Sequence, residues 1–328
     1  MPDLRDERPQ QVSARRVGVS VMKVLVTGSS GFVGRHVCRM IRSERPDTQL
    51  LRAVRTPTSD ERDDEITVGE IGEGTNWADA VAGQDVVIHL AASAHNLSRD
   101  LDEVHQVNGL GTKRLAVQAS EAGVKRFIFI SSVGVSGAST RGRSPFIADE
   151  NPEPHGAYAR SKFWAEEALR DAGAFSDMEI VIVRPPLVYG PGAPGNFDRL
   201  ARWVRNGIPL PLGTVRNKRS FISVYNLADV IVRCLDHPNA VGKVFLVKDG
   251  EDLSTTDFIR RIGNAMGRKP RLMPFPVSVL RTILVATGQK NAAQSLLDSL
   301  VVDGVDVEEA LGWVPPYSVE ESLRRCFL

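Results

Sequence analysis

An α/β fold, a doubly wound parallel sheet with a smaller mixed α/β lobe at the C-terminal end, is what this sequence predicts, on three observations. Near-continuous apolar runs of strand length alternate with segments of helical period, the pattern of a parallel sheet covered on both faces. A glycine-rich turn joins the first of those runs to the first helix. From Pro185 onward prolines and glycines cluster, and the elements become shorter and mixed.

The first strand is expected over Val24 to Thr27 and the first helix from Val33 through Ile41. Further strands are expected at Gln49 to Val54, Asp85 to Leu90, Arg126 to Ser131 and Glu179 to Val183, with helices over Leu110 to Ala122 and Ala157 to Ala172. These divide the chain into a sheet domain over 22–185 and a lobe over 186–328, from which about 220–248, including the run Lys243 to Val247, is expected to return to the main sheet. Residues 1–21 are polar, carry charges of both signs and lack the apolar centre of a secretory signal, so they are expected to be a disordered tail, with Met22 as the start of the folded chain.

Composition narrows the function classes. The 328 residues are 42% hydrophobic and 25% charged, and 41 Lys plus Arg balance 40 Asp plus Glu. That is the profile of a soluble cytoplasmic protein, with no electrostatic footprint for nucleic acid. The apolar stretch around Val277 to Thr287 falls short of a bilayer span and Arg281 interrupts it, so no membrane insertion is expected. Cys38, Cys234 and Cys326 are far apart, without spacing for zinc or a redox dithiol, and are expected to be reduced packing residues with no metal bound.

The turn reads Thr27-Gly28-Ser29-Ser30-Gly31-Phe32-Val33-Gly34, three glycines at three-residue spacing between a strand and a helix. A side chain at those positions would obstruct the turn, the approach of backbone N–H groups to a pyrophosphate, or the packing of helix on strand. A Rossmann-type dinucleotide site is therefore expected, with Gly28, Ser30, Gly31, Phe32, Val33 and Gly34 on the cofactor. The second strand, Leu50-Leu51-Arg52-Ala53-Val54-Arg55, ends without the acid that bonds the ribose of NAD. Arg55 and Arg52 instead suit a 2′-phosphate, which favours NADP(H) and leaves NAD(H) open.

Tyr158-Ala159-Arg160-Ser161-Lys162 puts a phenol and an ammonium four residues apart, on one face of a helix. A neighbouring cation favours the phenolate and so is expected to lower the phenol pKa toward the working range. Alone, the spacing also fits an amphipathic helix with a snorkelling lysine. Here it is joined by the glycine turn and by a strand ending Phe127-Ile128-Phe129-Ile130-Ser131-Ser132, twenty-six residues before Tyr158.

Together these motifs resemble the extended short-chain dehydrogenase/reductase family, over nearly the whole chain from Lys23 to Arg325. The resemblance implies an NAD(P)-dependent enzyme, a homodimer, in which Ser132 bonds the reacting oxygen, Tyr158 is general acid or base and Lys162 holds the nicotinamide ribose, Ser131 being the adjacent alternative serine. It further places Leu90, Ala91, Ala92, Asn108, Pro185 and Leu187 along the cofactor. His89, in the same run, reads as a buried structural histidine.

In the C-terminal lobe the block Arg184 to Gly192 with Asn196-Phe197 is similar to nucleotide-sugar epimerases and reductases. That similarity implies Asn196 and Arg219 on a sugar-nucleotide diphosphate, Arg being suited to paired bonds with phosphate oxygens. It also implies Leu210 to Leu212 around the uracil of a UDP-sugar. Arg219 to Val224, Val247 to Thr255 and Leu311 to Pro316 together resemble the bacterial branch that reduces the 4-keto group of UDP-2-acetamido-2,6-dideoxy-hexos-4-ulose to UDP-N-acetylquinovosamine for O-antigen and other surface polysaccharides. Two stretches depart from the epimerase pattern: Arg219-Ser220-Phe221-Ile222-Ser223 stands where epimerases carry Arg-Asp-Tyr-Ile-His, and the region around Gln294 to Leu296 lacks a second diphosphate arginine. A UDP-hexose or UDP-N-acetylhexosamine 4-epimerase is the second enzymatic reading. A non-catalytic nucleotide sensor that kept the fold is the reading from another class.

Overall fold

The computed structural model describes residues 21–57, 63–93 and 101–328. The tail expected over 1–21 therefore lies outside the described residues except for Val21. Strand β1 (Lys23–Thr27) runs into helix α1 (Phe32–Glu44), followed by β2 (Gln49–Val54), the short β3 (Glu65–Thr67), the single turn α2 (Ala78–Val81) and β4 (Val86–His89). Helix α3 (Leu101–His105) continues through a π-helical turn at Gln106–Leu110 into α4 (Gly111–Glu121), then β5 (Arg126–Ile130), α5 (Gly156–Ala174) and β6 (Glu179–Arg184). The rest comprises β7 (Leu187–Tyr189), α6 (Asn196–Arg205), β8 (Phe221–Ser223), α7 (Val224–Arg233), β9 (Val244–Leu246), α8 (Thr255–Ala265), α9 (Val277–Ala286), α10 (Lys290–Leu297), α11 (Val305–Leu311) and α12 (Val319–Phe327).

Seven strands form one parallel sheet in the order β3-β2-β1-β4-β5-β6-β9. Alternation along β1 explains the two layers of core. Val24 and Val26 point to the side covered by Val37 and Ile41 of α1 and by α7, whereas Leu25 points to the side covered by Trp77, Leu115 of α4 and Ala165 of α5. Each such fully buried Val, Leu or Phe contributes roughly 1.5–3 kcal/mol. The chain reverses its winding between β1 and β4, so a crevice opens outside the carboxyl ends of those two strands.

Parallel β7 and β8 pair apart from the main sheet, and a second core forms where Phe197 of α6, Phe258 of α8 and Leu297 of α10 meet Phe221. Val183 and Phe245 are register partners, which puts β9 at the edge of the main sheet beside β6. Burial pushes the thiol of Cys38 up to about 11 and those of Cys234 and Cys326 to about 12, so all three stay protonated.

His89 ties β1, β4 and α4 together. Thr112 Oγ1 donates to the Asn108 carbonyl at 2.7 Å, so it accepts from His89 Nε2 at 2.9 Å, and Nδ1 then accepts from Thr27 Oγ1 at 2.7 Å. The ring is fully buried and stacks on Phe129, which makes it structural. Burial pulls its pKa down to about 3. The unfolded chain therefore binds one more proton than the folded one between about pH 6.5 and 3, and this contribution to stability is complete above 6.5 and lost as pH falls. Urea unfolding of the protein should lose up to about 1.4 kcal/mol per pH unit more than His89→Gln, which keeps a donor and an acceptor, between about pH 6 and 4. Equal slopes would refute the buried neutral ring.

Candidate active site

The glycine turn opens the crevice. Gly28 has φ +67, and a Cβ there would lie 2.6 Å from the Ala91 nitrogen, while one at Gly34 would lie 2.1 Å from the Gly28 carbonyl oxygen. Only bare backbone fits both contacts. Gly31 caps α1 with no acid in the first helical turn, so the N–H groups and the positive end of the helix dipole face the crevice uncompensated. This cradle suits a pyrophosphate.

From it the crevice runs two ways, with Gly28, Gly31, Leu90 and Ala92 common to both arms. One arm passes Ser30, Ala53, Arg55, Ala91 and Glu70. The other passes Phe32, Val33, Gly34, Pro185 and Leu187 to Ser132, Tyr158 and Lys162. Ends of β1, β2, β4, β5 and β6 thus line a single trough of the shape a dinucleotide needs, with the phenol and ammonium at one end.

The turn after β5 decides which serine reaches that end. Ser131 Oγ donates to the buried Glu166 carboxylate at 2.5 Å, so its hydroxyl is spent beneath the site. Ser132 has extended backbone and starts the 3-10 turn Val133–Val135, its Oγ accepting from Gly134 N at 3.1 Å and leaving its O–H free to donate into the crevice. The same carboxylate accepts from Arg184 Nε at 2.9 Å and Nη2 at 2.5 Å, and Arg184 Nη1 reaches Ser136 Oγ at 3.2 Å. Glu166, Arg184 and Ser131 form the buried floor on which α5, β5 and β6 meet.

Tyr158 stands in the first turn of α5 and Lys162 one turn later, but their electrostatics differ from the sequence expectation. Burial pushes the Tyr158 phenol up to about 12. Burial also pulls the Lys162 ammonium down to about 7, with the Glu166 carboxylate opposing the fall. Lys162 Nζ donates to the Ile130 carbonyl at 2.7 Å and lies 4.4 Å from the centroid of the Phe129 ring, and desolvation is the one cause acting on the phenol. Burial thus favours the protonated phenol.

Other expected contacts also move. Arg52 is not on the cofactor: strand alternation turns it out of the crevice, where its guanidinium is clamped by Asp64 at 2.7 Å and Glu65 at 2.6 Å. Arg55 does line the crevice, 3.3 Å from Glu70, whose carboxylate would repel a 2′-phosphate. The lean toward NADP(H) loses its basis. Asn108 lines neither arm; it is buried, its Oδ1 accepting from Ser93 N at 2.7 Å and its Nδ2 donating to Ser161 Oγ at 3.0 Å, so it pins the loop after β4 to α5. Glu70, Val68 and Ile71 were not expected here, because a strand of three residues gives no periodic signal.

Beyond Leu187 a small recess contains Asn196, Arg219 and Phe221 with Ser295 and Leu296 of α10. Arg219 donates to the Asp298 carbonyl at 2.9 Å, and burial pulls its pKa down to about 10, with the Asp298 charge opposing the fall. Leu210 does not reach the recess: it pairs with Leu272 and is spent, with Leu212, in the core of the lobe. Ser220 donates to Asp252 Oδ1 at 2.5 Å and Ser223 caps α7. Ser220 and Ser223 are therefore structural residues outside the recess, whereas Phe221, the third departure from the epimerase block, lines it.

A family model for the NAD dependent epimerase/dehydratase family matches residues 24–247, more than half of the chain. The chain belongs to that family. This bears out the resemblance to extended short-chain dehydrogenases and makes the protein an NAD-dependent enzyme. It is 38% identical over 307 residues to a UDP-glucose 4-epimerase of Vibrio cholerae, covering 92% of this chain and 93% of that one. It is 27% identical over 319 residues to the N-acetyl-alpha-D-glucosaminyl-diphospho-ditrans,octacis-undecaprenol 4-epimerase of Escherichia coli O157:H7, covering 92% and 93%. The crystal structure of UDP-glucuronic acid 4-epimerase from Bacillus cereus in complex with NAD superposes with a TM-score of 0.75 at 22% identity, covering 93% and 96%, a likeness of fold.

The two serines separate cleanly by experiment. Ser132→Ala should lower turnover about a hundredfold or more with little change in melting temperature. Ser131→Ala removes a donor from a buried carboxylate and should cost roughly 1–3 kcal/mol of stability with the smaller effect on rate. The reverse pattern in kinetics and thermal melts would reassign the hydroxyls.

Proposed function

We propose that the chain is a nucleotide-sugar oxidoreductase that reduces the C4 keto group of a UDP-2-acetamido-2,6-dideoxy-hexos-4-ulose, acting as a cytoplasmic homodimer in surface polysaccharide biosynthesis. The observation that supports the reading is the meeting of Ser132, Tyr158 and Lys162 at one end of the crevice, two hydroxyls and a cation suited to a carbonyl taking up hydride, and the blocks Arg219 to Val224 and Leu311 to Pro316 favour the reductive direction. The glycine cradle and the crevice fit a nicotinamide dinucleotide, and the bound cofactor supplies the hydride.

Every other step falls to side chains of this chain. Ser132 donates a hydrogen bond to the ketone oxygen and Tyr158 delivers its proton to the same oxygen as negative charge develops there. Lys162 lines the same end of the crevice one helical turn away and is assigned to the nicotinamide ribose. Asn196 and Arg219 line the recess beyond Leu187 and are assigned to the diphosphate of the sugar nucleotide.

A second reading, 4-epimerisation of a UDP-hexose or UDP-N-acetylhexosamine, is favoured by the Vibrio cholerae relative, and the structural roles of Ser220 and Ser223 weaken the sequence argument against it, although Phe221, Ser295 and Leu296 line the recess without a second arginine.

Incubation with UDP-4-keto-6-deoxy-N-acetylglucosamine and NADH or NADPH, with the product followed by NMR, should give a 4-hydroxy sugar with stoichiometric oxidation of added cofactor. Conversion of UDP-glucose or UDP-N-acetylglucosamine to the 4-epimer without added cofactor would overturn reduction in favour of epimerisation. Tyr158→Phe should leave cofactor affinity nearly unchanged and reduce turnover about 10²- to 10⁴-fold.

A further inference from the structure

The apolar stretch too short to span a bilayer forms α9, and in the structure it lies on the outside of the molecule. Of its ten residues only Leu280 is buried. Val279, Ile283 and Val285 are 46%, 47% and 42% exposed, and Met273 just before the helix is 46% exposed. An apolar helix turned outward needs a cover.

Charge selects the cover. Residues 258–297 contain no Asp or Glu and seven Lys or Arg, in a chain whose 40 acids in 328 residues average about one in eight. Arg260, Arg261 and Arg281 are paired with carboxylates outside that segment. Arg268, Lys269 and Arg271, ahead of α9, and Lys290, after it, are exposed and pair with no carboxylate among the described residues. A second copy seated on this face about a twofold axis would bring the same cations against one another. An anionic surface would not meet that repulsion.

We propose that α9 and its flanking cations dock the protein on a membrane surface bearing anionic lipid headgroups. The helix lies in the plane of the interface: at ten residues it is about 15 Å long, half of a bilayer core, and its exposed Val279 and Ile283 are one turn apart on one stripe. α10 packs beside it and Arg281 bonds Asp298 at 2.6 Å, so the docked face is continuous with the wall of the recess formed by Ser295 and Leu296. The proposal stands independently of the substrate assigned above.

Cosedimentation with vesicles tests it. The protein should bind vesicles of phosphatidylcholine containing about one third phosphatidylglycerol about tenfold or more tightly than pure phosphatidylcholine, and raising salt to about 0.5 M should release it. Val279→Asp with Ile283→Asp should abolish most of that binding. Lys269→Glu with Lys290→Glu, at fully polar surface positions, should weaken it about tenfold while melting temperature and NADH affinity stay at wild-type values. Equal sedimentation of wild type and both variants, or no preference for the anionic vesicles, would overturn the proposal. So would a self-association in sedimentation equilibrium that the Asp pair abolishes, since a second copy would then be the cover.

Discussion

The site depends on one buried carboxylate. Glu166 is fully shielded from water and takes hydrogen bonds from Ser131 at the end of β5 and from Arg184 at the end of β6, while its own backbone belongs to α5. An ion pair at such depth gains little net energy but costs several kcal/mol when one partner is removed, because the other charge is left stranded. The three elements are consequently fixed together in one register. Tyr158 and Lys162 project from the first turns of α5, and Ser132 follows directly on Ser131, so the same constraint sets the distances among all three side chains that face the crevice.

Much of this was legible in the sequence because the relevant contacts are local. Gly28, Gly31 and Gly34 act within one turn, and the four-residue step from Tyr158 to Lys162 fixes their shared face whatever surrounds them. Ser131 and Ser132 could not be told apart in that way, since the choice is made by Glu166, thirty-five residues further along. Arg52 misled for a related reason. β2 is covered on both faces, so its pattern marks no crevice side, and only the pairing with Asp64 and Glu65 shows that Arg52 turns away. Asn108 sits in a π-helical turn, a local unwinding that no apolar period announces, and its amide is committed to Ser93 and Ser161.

In the C-terminal lobe, sequence blocks conveyed family but not location. Of the three departures from the epimerase motif, Ser220 bonds Asp252 and Ser223 caps a helix, and Phe221 alone lines the recess. Arg219, in the same block, does face the recess, and its neighbours there come from α6, α8 and α10, elements separated by as many as a hundred residues. Which members of a contiguous motif touch ligand is decided by how β8 alternates and by what packs on each side of it.

The burial that shapes this site also shifts both of its titrating groups. Water-poor surroundings penalise charge on either one, which is why the phenol of Tyr158 rises to about 12 and the ammonium of Lys162 falls to about 7. Because the two shifts share one cause, a substitution that admits water to this end of the crevice would relax both, lowering the phenol and raising the ammonium together. The walls that would keep water from a reacting carbonyl are the walls that hold both side chains toward their uncharged forms, so the shape of the crevice and the proton chemistry of its two groups are one property.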